Sequence, residues 1–147
     1  MIPDFVQGNL PAGIHWASWD ELVTRFSHNE RRLKLLDGLK AALKSLRDAG
    51  CVTAYVDGSF VTSKEFPNDF DGCWEVNHVD PIRLDPILLK FGKFDRGRIE
   101  QKAKYGGELF PVQVENQGTN LTFLEFFQFD KSGSRKGIVA VDLRRLP

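Results

Sequence analysis

The order of apolar patterns along the chain predicts an α+β domain, a small mixed β-sheet with helices packed on it. Two observations carry this. Helical periodicity fills residues 19–48, whereas β-branched and aromatic runs recur later, in "CVTAYVDGS", "DFDGCWEV", "ELFPV" and "KGIVAVDL". The resulting order, αα-β-β-α-β-(?)-β, fits a mixed sheet rather than a regular alternation of strand and helix. At 147 residues, 41% hydrophobic and 27% charged, a single compact domain spanning 1–147 is expected.

The first residues, 1–17, read as an extended arm laid over the domain, because two prolines and two glycines interrupt scattered apolar side chains. "SWDE" is a capping box: the Ser18 hydroxyl serves an orphan backbone N–H and Glu21 reaches back, starting a short helix over 19–26. A second helix is predicted over 29–48, with Leu35, Leu39, Ala42 and Leu46 on one face and Arg and Lys on the other; Gly50 stops it. Between the first two strands, "FVTSKEFPN" is a polar connection turning at Pro67-Asn68. Residues 85–104 have helical character interrupted at Gly92 and Gly97. Pro111 marks "ELFPV" as an edge strand or a strand end. "LTFLEFFQF" fits helix and strand equally, and "KGIVAVDL" closes the sheet after the turn "DKSGSRKG".

Composition excludes several classes of function. No window approaches the roughly 20 apolar residues of a membrane span, and the N-terminus lacks a basic segment followed by an apolar one, so a cytoplasmic location without membrane partners is the expectation. Twenty basic residues balance twenty acidic ones, which argues against strong binding of duplex DNA. Cys51 and Cys73 match neither a zinc knuckle nor a redox pair and read as buried thiols.

The chemistry-bearing stretch is "VDGSFVTSKEFPNDFDGCWEV". Asp69 and Asp71, one residue apart on an apparent strand, send their carboxylates to the same face, where the oxygens can converge on a hard cation such as magnesium. Gly58 lets backbone N–H groups approach a phosphate, and Ser59 adds a hydroxyl donor.

With nine residues between Ser59 and Asp69, "YVDGSFVTSKEFPNDFDGCW" resembles the signature of the nucleotidyltransferase superfamily that includes DNA polymerase beta and the minimal nucleotidyltransferases of bacteria. "LPAGIHWASWDEL", "KAKYGGELFP" and "KGIVAVDL" extend the resemblance over most of the chain, towards a bacterial family of small nucleotidyltransferase-like proteins. The resemblance implies the polymerase beta-like fold, with Gly58 and Ser59 on the triphosphate of a nucleotide and Asp69 and Asp71 on magnesium or manganese. It also implies a third carboxylate on a neighbouring strand. Glu108 is the first choice, with Glu115 and Asp142 as alternatives; Glu75, four residues beyond Asp71, lies roughly 13 Å away at about 3.3 Å per residue.

The implied activity moves a nucleoside monophosphate from a nucleoside triphosphate to a hydroxyl of a protein, an RNA or a small molecule. Bacterial relatives of this economy often sit in toxin-antitoxin or defence pairs, which raises a protein partner as an expectation by analogy. The alternative is a binding module that keeps the fold without the chemistry. Lys64 can reach a phosphate as a point charge, though a solvated loop lysine is the simpler reading. The basic run Arg96, Arg98, Lys102 and Lys104 reads as a solvated helix face or a steering patch for a phosphate-bearing acceptor. Phe123, Phe126, Phe127 and Phe129 read as core, and His15 as packed or hydrogen-bonded.

Overall fold

A computed structural model describes residues 1–91, 97–116 and 118–147. The first helix, α1 (Trp19–Phe26), starts at the expected capping box, with the Glu21 N–H donating to Ser18 Oγ (3.1 Å) and the Ser18 N–H to Glu21 Oε1 (3.3 Å). The second, α2 (Glu30–Asp48), is capped by Asn29, whose side chain accepts from the Arg32 N–H (2.9 Å), and ends before Gly50, at φ +104°. Leu35, Leu39, Ala42 and Leu46 are buried as the periodicity requires. The expectation that arginine and lysine keep to the solvent face fails at Arg32, which is fully buried. Its side chain answers backbone carbonyls that sequence periodicity does not reveal.

A five-stranded sheet is built from β1 (Gly13–Trp16), β2 (Thr53–Asp57), β3 (Phe70–Trp74), β4 (Gly107–Pro111) and a last strand, Gly137–Asp142, in the order β1, last strand, β2, β3, β4. The outer pairs are parallel and the inner ones antiparallel, so the sheet is mixed as expected. The extended arm thus contributes an edge strand, and Pro111 sits on the opposite edge, where its missing N–H costs least. Of the predicted helix over 85–104, Pro86–Leu89 forms a 3-10 turn and Gly97–Tyr105 forms α3; Gly92 lies outside the described residues. The ambiguous "LTFLEFFQF" is both structures in succession. After β5 (Glu115–Asn116), β6 (Leu121–Thr122) forms a small hairpin with it, and Thr122 then caps α4 (Phe123–Phe126) through a capping box with Glu125. The last strand, Gly137–Asp142, is therefore β7.

One core fills the face of the sheet under α1 and α2, where Val56, Phe70, Leu109 and Val139 meet Leu22, Leu39, Leu43 and Leu46. A smaller core covers the other face, where Tyr55, Cys73, Phe110 and Ala140 lie under Phe123 and Phe127. Phe110 and Phe123 stack with centroids 4.0 Å apart. Both cysteines are buried and free, and burial pushes the Cys51 thiol up to about 11. Among the described residues, no helix is long and apolar enough to cross a membrane.

Candidate functional site

Strand register builds the site. Asp57 on β2 faces Asp71 on β3, and Asp71 faces Glu108 on β4. Paired residues point to the same face, so three carboxylates form a row across adjacent strands at about 4.8 Å spacing. The row continues the apolar one two residues away, Tyr55, Cys73 and Phe110. One face of the sheet is therefore greasy under α4 and acidic at its end. Asp69 precedes β3 and joins the acids from the connection before it.

The Gly-Ser turn lies against this row. Gly58 has φ +86°, and a Cβ there would sit 3.0 Å from Asp71 Oδ2 and 3.1 Å from the Asp71 nitrogen. Only glycine satisfies both the dihedral angle and the space. Ser59 opens a 3-10 turn over Ser59–Val61 and, with Lys64 and the Asp pair, lines a cleft of about 580 Å³. Phe126, Phe127 and Phe129 form part of its opposite wall.

The first turn of α2 holds the connection that carries these groups. Arg32 donates to the carbonyls of Phe60 (2.6 Å), Thr62 (3.0 Å) and Lys64, while Arg31 donates to those of Pro67 (2.9 Å) and Asn68 (2.6 Å). Asn29 donates to Glu65 O (2.7 Å). Lys64 is exposed at the cleft's rim.

Each described member of the basic run is ion-paired, although Lys102 and Lys104 stay exposed. Arg98 donates to Glu108 Oε2 through Nη2 (2.8 Å) and Nε (3.0 Å), and Lys102 Nζ lies 3.0 Å from Asp69 Oδ2 and 3.7 Å from Glu108 Oε1. Hydrogen bonding to Asp69 raises the Lys102 pKa, with Asp69, Glu108 and Asp71 adding charge attraction. Lys104 pairs instead with Asp85, and Arg96 lies outside the described residues. A different cation, Lys136, serves Asp57 at 2.7 Å. Among the described residues, Asp71 faces its neighbours without a close cation of its own. Burial first, then the charges of Asp69, Asp57 and Glu108, push its carboxyl up to about 7, and Lys102 opposes them only in part.

Of the alternatives for the third carboxylate, only Glu108 shares the row. Glu115 is exposed on the β5–β6 hairpin, and Asp142, at the far end of β7, accepts from Arg144 Nε and Nη2 at 3.0 Å each. Asp57 and Lys136 were not singled out by sequence reasoning. Asp57 is the one charge at the end of the run "VTAYVD" before Gly58, and that was the available signal.

Among the described residues, no three His, Cys, Asp or Glu side chains stand close enough to grip one ion together, and Lys102 occupies the space between Asp69 and Glu108. The donor chemistry still suits a hard divalent cation, since every candidate ligand is a carboxylate oxygen and Asp71 stands among the negative charges of Asp69, Asp57 and Glu108.

A mixed sheet with a glycine turn pressed against a carboxylate row defines a small α+β domain with an acidic cleft at a sheet end. The chain belongs to the family of unknown function DUF6932, whose model matches residues 3–142. No curated protein and no solved structure matches it.

Proposed function

We propose that this domain is a nucleotidyltransferase: it binds a nucleoside triphosphate with magnesium or manganese and moves the nucleoside monophosphate to a hydroxyl, releasing pyrophosphate. One juxtaposition supports the reading above all. Gly58, Asp71 and Glu108, spread over 51 positions, meet at one end of the sheet, with Asp71 and Glu108 in register and Gly58 against Asp71.

Each residue then has a task. Gly58 and Ser59 offer a backbone N–H and a hydroxyl to phosphate oxygens. Asp69, Asp71 and Glu108 would hold the divalent ion once it displaces Lys102 and draws them together, and the bound ion would neutralise phosphate charge as it shifts during transfer. Glu108 accepts the proton of the attacking hydroxyl as that oxygen bonds to the α-phosphorus and the bond to the pyrophosphate oxygen breaks. Lys64, at the rim, meets the phosphate tail as a point charge. The acceptor, a protein, an RNA or a small molecule, approaches from the open side of the cleft.

A second reading is favoured by a specific observation. Lys102 and Arg98 already neutralise Asp69 and Glu108, as in a binding module that has retired its ion site. Isothermal titration of each of the four nucleoside triphosphates, with and without magnesium, separates the two. The transferase requires binding that depends on the metal and is lost in Asp69→Asn/Asp71→Asn; metal-independent binding of equal strength in both proteins supports the binding module.

A further inference from the structure

The cleft contains an ion pair that the nucleotidyltransferase pattern leaves unused. Asp57 is 3% exposed and Lys136 lies 79 positions away, yet Lys136 Nζ donates to Asp57 Oδ1 at 2.7 Å. Both side chains are nearly sealed, at 5% and 13% exposure, and both line the same cleft as Gly58, Ser59 and Asp71. A buried pair is poor value for stability, because desolvating two charges offsets their attraction, and apolar residues of similar size serve a core as well or better. Its place on the cleft wall gives it another use.

Lys136 is fixed at both ends. Its backbone N–H donates to Gln128 O (2.9 Å), and the next residue opens the interior strand β7. The ammonium carries three N–H donors, and among the described residues Asp57 is its only hydrogen-bond partner. Two donors are left for a ligand in the cleft. A cation already held in place loses little side-chain freedom when an anion arrives, which distinguishes it from the exposed Lys64 and Lys131 on the same rim.

We propose that Lys136 is the anion receptor of the cleft, taking the terminal phosphates of a polyphosphate ligand, and that Asp57 is its positioning residue. The assignment deepens the nucleotidyltransferase reading by naming what grips the leaving pyrophosphate. It also stands as an anion site should the metal chemistry fail.

The test is titration of inorganic pyrophosphate into two backgrounds: the wild-type protein in magnesium buffer, and Asp69→Asn/Asp71→Asn in chelator, where two repelling charges and the ion are gone. Lys136→Met is expected to weaken binding tenfold or more in both, and Lys136→Arg to stay within threefold of its parent. Asp57→Asn is expected to weaken binding three- to tenfold with no change in the Lys64→Met effect, which a loss of fold would not spare. If Lys136→Met does not fold with Asp57 left unpaired, the neutral pair Asp57→Asn/Lys136→Met carries the same prediction.

Pyrophosphate binding by Asp69→Asn/Asp71→Asn that Lys136→Met removes, with no binding by the wild-type protein in magnesium, supports the receptor while overturning the metal reading. Affinity within twofold of the parent in Lys136→Met, or no pyrophosphate binding in either background, overturns the receptor. Tighter binding by Asp57→Asn overturns the positioning role.

Discussion

Asp71 shows how one residue can be costly to the fold and still be kept. Its folded-state carboxyl holds a proton up to about pH 7, whereas an unfolded aspartate releases it near pH 4. Ionising Asp71 therefore opposes folding, and its penalty grows as pH rises from about 4 to about 7. Below that window the group is neutral in both states and contributes nothing. Asp71→Asn should match wild type near pH 4 and be more stable above pH 7 by on the order of 2 kcal/mol, allowing for partial solvent exposure. Urea unfolding across this range checks it; a variant less stable than wild type at pH 8 would show that the carboxylate is structural. The same substitution is expected to abolish magnesium-dependent triphosphate binding, so stability and function should move in opposite directions.

At the scale of elements, the first turn of α2 acts as a clamp on the 59–68 connection. Arg32 is the centre of it, lying against the rings of Phe26 (5.7 Å) and Phe60 (5.4 Å) and donating to three carbonyls. Arg32→Met keeps most of the apolar volume but leaves those carbonyls without their donor. The expected loss is about 3 kcal/mol, read from the urea midpoint, with weaker triphosphate binding because Ser59 and Lys64 ride on the released segment. Arg32→Lys should recover little, since a point charge cannot span three acceptors as a planar fork does. A full recovery by lysine would show that charge rather than geometry holds the segment.

At the scale of the whole molecule, the acidic row depends on how the crossover from β3 to β4 is docked. The helix α3 supplies Arg98 and Lys102 to the acids and closes onto α2 at Gly38, where a Cβ would overlap the Tyr105 carbonyl. Gly38→Ala should improve the intrinsic helix propensity of α2 and yet cost about 2 kcal/mol, because overpacking pushes α3 outward. Thermal unfolding measures the loss; stability equal to wild type would mean that α3 shifts freely and does not set the row.

The sequence alone determined what is local. Helices over 19–26 and 29–48 were legible because capping residues and a 3.6-residue period lie within one stretch of chain, and the Gly58-Ser59 turn and the Asp69/Asp71 pair were legible because a short connection joins them. The split of "LTFLEFFQF" was readable in principle, since Thr122 and Glu125 form a capping box, but apolar density masked it. Tertiary structure decided the rest. The row Asp57, Asp71, Glu108 exists only through strand register, Lys136 reaches Asp57 across 79 positions, and Arg32 is buried because carbonyls about 30 residues away need its donors. Periodicity reports which face of an element is apolar; which faces then meet is settled by long-range pairing, for which neighbouring residues carry no signal.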